Sequence, residues 1–185
     1  MNWNRDESLG KVESAVAEAV RRSDGDVRAA VRVVADEVAR DLRVAATKGT
    51  AMLSTISALA DGAARGAADS GADIGGVAEG FMIGAMRGAD ETPERTLAVI
   101  RHAADSFVKH ALQSGFDAAT AARGLAAGAS EWADRCALAE DAAEGAAVQG
   151  AAVSADDVDA RLGRKVRAAL SGYARGAAPS VSRTR

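Results

Sequence analysis

A period of 22 residues constrains this chain more than any other feature. Residues 49–70 read GTAMLSTISALADGAARGAADS, and residues 71–92 read GADIGGVAEGFMIGAMRGADET. Both halves open on glycine. Both carry Gly-Ala-x-Arg-Gly-Ala near the end, at Gly62 to Ala67 and Gly84 to Ala89, and both close on an acidic, polar tail. The same step extends outward. From Arg21 it gives Arg43, Arg65, Arg87 and Lys109, then Glu131 and Val153, and a basic residue again at Arg175. From Gly62 it gives Gly84, Ser106, Gly128, Gly150 and Gly172. From Gly49 it gives Gly71, Pro93 and Gly115, all helix-breaking residues. Eight such units run from Arg5 to Ser180.

Helix geometry explains the number. Twenty-two residues in six turns is about 3.67 per turn, close to the relaxed α-helix. A face repeated at that period stays on one side of the rod. Val27, Val31, Val34, Val38 and Leu42 form such a stripe, completed by Ala45. Leu97, Ile100, Ala104, Phe107, Val108 and Ala111 form another. The spacing i, i+3, i+4, i+7 is that of amphipathic helices.

Glycine occupies a second face. At about 98° per residue, Gly62 and Gly84 project opposite the Val/Leu/Ile stripe. Gly62 and Gly66 follow each other at i+4, as do Gly80, Gly84 and Gly88. Glycine inside a helix costs about 0.5–1 kcal/mol relative to alanine. A column of it therefore points to close approach by another backbone. Gly62, Gly66, Gly80, Gly84, Gly88, Gly124, Gly128, Gly150 and Gly172 are the candidate helix-packing positions. A solvent-facing strip of small residues is the alternative, since Asp73, Arg95 and Asp117 share that angle.

The stop signals set the expected architecture. Leu9, Val12, Val16 and Val20 predict a first helix, ended by Ser23-Asp24-Gly25-Asp26. Asp26 caps a long helix from Val27 to about Asp69, in which Lys48-Gly49-Thr50 is the weak point. A helix from Asp73 to Ala89 follows. Thr92-Pro93 restarts the chain toward Gln113, with Thr as N-cap and Pro at the first helical position. Asp117 caps a helix expected to run through Trp132 and Leu138 to about Ala152. Ser154 and Asp157 resemble a capping box for a last helix carrying Val158, Leu162, Val166, Leu170 and Tyr173. The expected fold is all-α. Three two-unit rods, 27–70, 71–114 and 115–158, would run up, down and up, with a one-unit helix at each end. That makes an elongated antiparallel helical bundle of eight 22-residue units. A solenoid of short helical hairpins, or an open chain of helices that folds only on a partner, is the second arrangement. The chain reads as a single domain over residues 1–179, with a disordered basic tail at 180–185.

Composition limits function. The 185 residues are 48% apolar but only 3% aromatic, so alanine and valine carry the burial. The net charge of −3 argues against a phosphate-backbone partner, so no nucleic acid is expected. Residues 1–11 are polar, no window reaches the ~20 apolar residues of a spanning helix, and there is one cysteine, Cys136. These suit the cytoplasm. His102 and His110 are the only histidines, eight apart and without ligand-spaced Glu or Cys, so no metal is expected. Cys136 beside Arg135 has no histidine near in sequence and reads as an inert thiol. No nucleophile motif and no dinucleotide fingerprint occur. The reading is non-enzymatic, without cofactors. Arg21, Arg43, Arg65, Arg87, Lys109 and Arg175 remain as a candidate surface-binding row. Their near neighbours Asp61, Asp69, Glu91 and Asp105 offer the plainer role of intrahelical pairing.

The tandem 22-residue amphipathic units, punctuated by Gly or Pro, resemble those of exchangeable apolipoproteins. The resemblance implies helices that lie on lipid, although those helices are rich in Leu and aromatics and this face is Ala and Val. Residues 72–91, ADIGGVAEGFMIGAMRGADE, and residues 141–157, DAAEGAAVQGAAVSADD, are also similar to a group of uncharacterised Ala/Gly-rich helical prokaryotic proteins, which implies no assigned activity. Two expectations result. One is a structural or self-association protein that packs through its Ala/Gly faces, with a second copy or a helical protein as partner. The other is an amphipathic coat on lipid or another hydrophobic surface.

Overall fold

The computed structural model describes residues 26–47, 49, 51–89 and 92–171, together with Ser14 and Glu18. Those residues form helices and their connections, with no strand among them. The helices are α1 (Val27–Thr47), α2 (Met52–Ser70), α3 (Ile74–Ala89), α4 (Pro93–Gln113), α5 (Ala118–Ala133), α6 (Glu140–Val158) and α7 (Ala160–Ser171). A single 3-10 turn, Asp134–Cys136, follows α5. The first expected helix and the basic tail lie outside the described residues, apart from Ser14 and Glu18, which are helical.

Local chemistry accounts for the ends. Asp26 Oδ1 accepts from the amides of Arg28 (2.9 Å) and Ala29 (3.3 Å). Asp73 Oδ2 accepts from Gly76 N at 2.7 Å, and Asp117 Oδ2 from Thr120 N at 3.1 Å. Each carboxylate satisfies amides that a helix start leaves without partners. Gly71 and Gly115 end α2 and α4 at φ +69° and +83°, where a Cβ would be strained.

The two-unit rods are not present. The stretch expected as one helix from Val27 divides after Thr47, where Gly49 turns at φ +68°. The second rod divides before Pro93. The third divides after Ala133, where Ala137 takes the left-handed conformation at φ 54° without being glycine. The expected helix through Leu138 is therefore two elements. Ser154 is no cap: α6 continues past it to Val158, and Asp159 Oδ1 caps α7 through Arg161 N at 2.8 Å.

Packing also differs from four antiparallel rods. Through α6, each helix lies chiefly along the helix two places away: α1 on α3, α3 on α5, α2 on α4 and α4 on α6; α7 lies chiefly on α6. The paired residues rise together, as Leu53 with His102, Ser57 with Ser106, and Asp105 with Ser154. All three pairs are 49 positions apart, and a constant difference in number means parallel helices. Consecutive helices fold back through short connections. The result is two layers of parallel helices, α1, α3, α5 and α7 in one and α2, α4 and α6 in the other. This is closer to a stack of helical hairpins than to a four-rod bundle.

The core lies between the layers. Ile56, Leu59, Phe81, Met82, Met86, Ile100, Phe107 and Leu125 are fully buried. Phe81 and Phe107 meet across α3 and α4 with centroids 5.0 Å apart. Such side chains stabilise by about 1.5–3 kcal/mol each, against about 0.8 kcal/mol for one methyl-sized group. Alanine is the commonest core residue. Stability here depends on many small contacts at short range rather than on a few large anchors.

Candidate functional site

The most constrained surfaces are the seats between parallel helices. The ridge of α1, with Val31, Val34, Val38 and Leu42 buried, lies against the glycine face of α3. A Cβ built on Gly80 would sit 2.5 Å from the carbonyl oxygen of Val31. On Gly84 it would sit 2.7 Å from that of Ala35, and on Gly88, 2.7 Å from Leu42 Cβ. The same seat recurs 44 positions on. Gly128 would place a Cβ 2.5 Å from Glu79 O, and Gly124 would drive one into Gly75 O. In the other layer Gly150 meets Arg101 O in the same way. Gly62 and Gly66 are buried on α2. Gly172 lies outside the described residues. The seats at Gly80, Gly84, Gly88, Gly124, Gly128 and Gly150 are each filled by another helix of the same chain.

Between α2 and α4 the same register carries polar groups. Ser57 Oγ lies 3.0 Å from Ser106 Oγ and 3.0 Å from His102 Nε2. His102 Nε2 is also 2.9 Å from Leu53 O. A carbonyl can only accept, so Nε2 carries the proton and donates to it. That nitrogen has no lone pair left to take a proton from Ser57. The Ser57–His102 contact is thus a hydrogen-bonded strut and not an activated nucleophile. One helical turn on, His110 Nδ1 faces Gln113 Oε1 at 3.0 Å and Asp61 Oδ1 at 3.3 Å, and Arg65 donates to Asp61 at 2.8 Å. Burial holds His110 below the usual histidine range, against the opposing pull of Asp61. The equivalent contact in the next pair is Ser154 Oγ, donating to Asp105 O at 2.6 Å.

The basic row does not form one surface. Alternation of layers puts Arg43 and Arg87 on α1 and α3, and Arg65 and Lys109 on α2 and α4. Several are also committed within the chain. Arg87 Nη1 pairs with Asp36 Oδ1 at 2.7 Å, and its guanidinium lies 5.3 Å from the Trp132 ring, which Arg135 covers at 4.2 Å. Arg43 donates to Arg87 O at 3.3 Å. Arg21 and Arg175 lie outside the described residues. Trp132 is the point where α3 and α5 meet through cation–π contact. Arg135 reaches it from the same stretch of chain, but Arg87 comes from another helix, and periodicity carries no signal of that contact.

Two grooves open on the surface. One, of about 430 Å³, is lined by Asp105, Lys109, Gln113, Ser154 and Asp157 with Leu112 and Val158. The other, of about 390 Å³, lies between the N-terminal half of α6 and the end of α7, beside Ala126 of α5. Glu79 on α3 is half-buried, and burial with nearby Glu131 pushes its carboxyl up, Arg28 opposing. Lys165 on α7 pairs with the α5 cap Asp117 and holds that carboxyl below the usual range. Among the described residues, no group of three or more His, Cys, Asp or Glu is placed to hold a metal. No described helix is long and apolar enough to cross a membrane. Compared with family models, curated proteins and solved structures, the chain matches none of them.

Proposed function

We propose that this protein is a non-enzymatic helical scaffold that works by association, with a second copy of itself or a helical protein as partner. The observation that carries this reading is the unbroken 49-position register. It spends the glycine faces, the histidines and the buried serines on holding helices together. A stack built this way has ends, and an end that is not closed by a polar face exposes packing surface. The eight-unit description, with glycine columns as close-packing faces, belongs to the same proposal. So does residence in the cytoplasm, without a cofactor.

The lipid-coat alternative receives less support. It needs one cationic face, and the cations divide between two layers. It also needs the apolar stripes, buried except at Val27 and Leu97, released from the core.

Light scattering of the purified full-length chain across a hundredfold concentration range tests the proposal. Assembly above the 18.7 kDa monomer mass is expected. A monomer throughout, with co-sedimentation on anionic vesicles at low salt, would replace it with the lipid reading.

A further inference from the structure

The glycine seats share one register. Each seat glycine meets a carbonyl 49 positions earlier and a side chain 46 positions earlier: Gly80 meets Val31 and Val34, Gly84 meets Ala35 and Val38, and Gly128 meets Glu79 and Met82. The helix on the seat is the one two places back in the chain. On α2 the positions 22 before Gly84 and Gly88 are Gly62 and Gly66. Gly62 stands five positions from Ser57, about 140° around the helix, so it faces away from α4. Both glycines are nonetheless buried. They form the first seat of their layer, and a helix two places back from α2 has to come from the residues before Asp26.

Those residues carry the matching ridge. α1 meets its seat through Val31, Val34, Ala35, Val38, Ala39 and Leu42. Twenty-two positions earlier stand Leu9, Val12, Glu13, Val16, Ala17 and Val20. The shared register then sets Glu13 and Val16 at Gly62, and Ala17 and Val20 at Gly66. Ser14 and Glu18, both helical, stand 22 before Asp36 and Arg40, which α1 turns outward. Ser14 is exposed and Glu18 half-buried. The end of the pair matches as well. Arg43 of α1 donates to Arg87 O at 3.3 Å, and the same step back gives Arg21 and Arg65.

We propose that residues 9–22 form a helix parallel to α2, seated on Gly62 and Gly66 as an intramolecular plug of that face. The plug gives the layer of α2, α4 and α6 a fourth member and sets Arg21 against Arg65 O. An end unit of this kind covers a face that a stack otherwise leaves open. A helix from a partner reaches this seat only by displacing the plug. The inference stands apart from the association reading above.

Hydrogen exchange read by mass spectrometry on the full-length chain tests it. An isolated helix of about 14 residues is marginal in water, so slow exchange in this stretch reports docking. Amides of residues 12–22 are expected to exchange at least about a hundredfold slower than in an unfolded chain. Val16→Asp, which leaves α2 to α7 untouched, should remove that protection, and so should Gly62→Leu. Gly145→Leu, on the α6 surface where nothing lies within 4 Å of an added Cβ, should leave it in place. Should Gly62→Leu also speed exchange in α4 to α6, Val16→Asp decides alone. Free exchange over residues 12–22 in the wild type overturns the plug, as does protection that survives Val16→Asp or is lost in Gly145→Leu. Protection that disappears on hundredfold dilution overturns it too, by placing the segment on a second copy.

Discussion

The two layers use one register with different materials. In the layer of α1, α3 and α5, parallel helices meet backbone to ridge, with Gly80, Gly84 and Gly128 against Val31, Ala35 and Glu79. In the layer of α2 and α4, the same separation is spanned by Ser57, His102, Ser106, Asp61 and His110. The first seam is close-packed and leaves no room for a Cβ at Gly80, Gly84, Gly124 or Gly128. The second is hydrogen-bonded, so each contact adds about 1 kcal/mol net and the cost of losing one is bounded. A glycine seam fixes the distance between helices by exclusion. A serine–histidine seam fixes their register by direction.

The sharpest way to break this comparison is to add volume to the glycine seam. Gly84→Leu is expected to destabilise by about 3 kcal/mol or more, because a Cβ alone already meets Ala35 O and Val38. For a chain of this length that lowers the melting temperature by about 6–12 °C. Gly84→Ala should still lose about 1 kcal/mol, despite the roughly 1 kcal/mol gained in helix propensity. A neutral Gly84→Ala would remove the seat as an explanation.

The polar seam is probed by pH. His110 titrates below its unfolded value of about 6.5, so the unfolded chain binds the proton first. Stability is full above about pH 6.5 and falls as pH drops from there toward the folded value. His110→Gln should flatten that stretch of the melting-temperature profile, and an unchanged slope would assign it elsewhere. Glu79 acts with the opposite sign. Its raised carboxyl pKa means that stability increases as pH falls from the folded value toward about 4.5. Glu79→Gln should therefore raise the melting temperature at pH 7.

Ser57→Ala should cost about 1 kcal/mol, since His102 keeps Leu53 O and Ser106 keeps a nearby partner. The smallest effect is expected at Ala137, whose φ of 54° suits glycine. Ala137→Gly should gain about 0.5–1 kcal/mol in chemical denaturation.

What the sequence could show is uneven for physical reasons. Gly71, Thr92-Pro93 and Gly115 mark real helix ends because φ freedom and the missing proline N–H act locally. The break after Ala133 carries no glycine or proline, so Asp134-Arg135-Cys136-Ala137 reads as continuous helix. Amphipathic stripes and glycine columns are visible as periods. Which stripe receives which column is not, because that depends on how each hairpin turns. Lys109 and Arg87 share a sequence column yet stand in different layers for the same reason. The seam of Ser57, His102 and Ser106 joins helices 45–49 positions apart, and no local motif records it.

Because α3, α4, α5 and α6 each dock on the helix two places earlier, chain length has a natural quantum. Losing a single helix would move all later ones to the wrong side and set ridge against ridge. Losing or duplicating a hairpin of 44 residues keeps each partner in place. A gene encoding such a protein can lengthen or shorten by even steps while its joints survive, and odd steps would be purged.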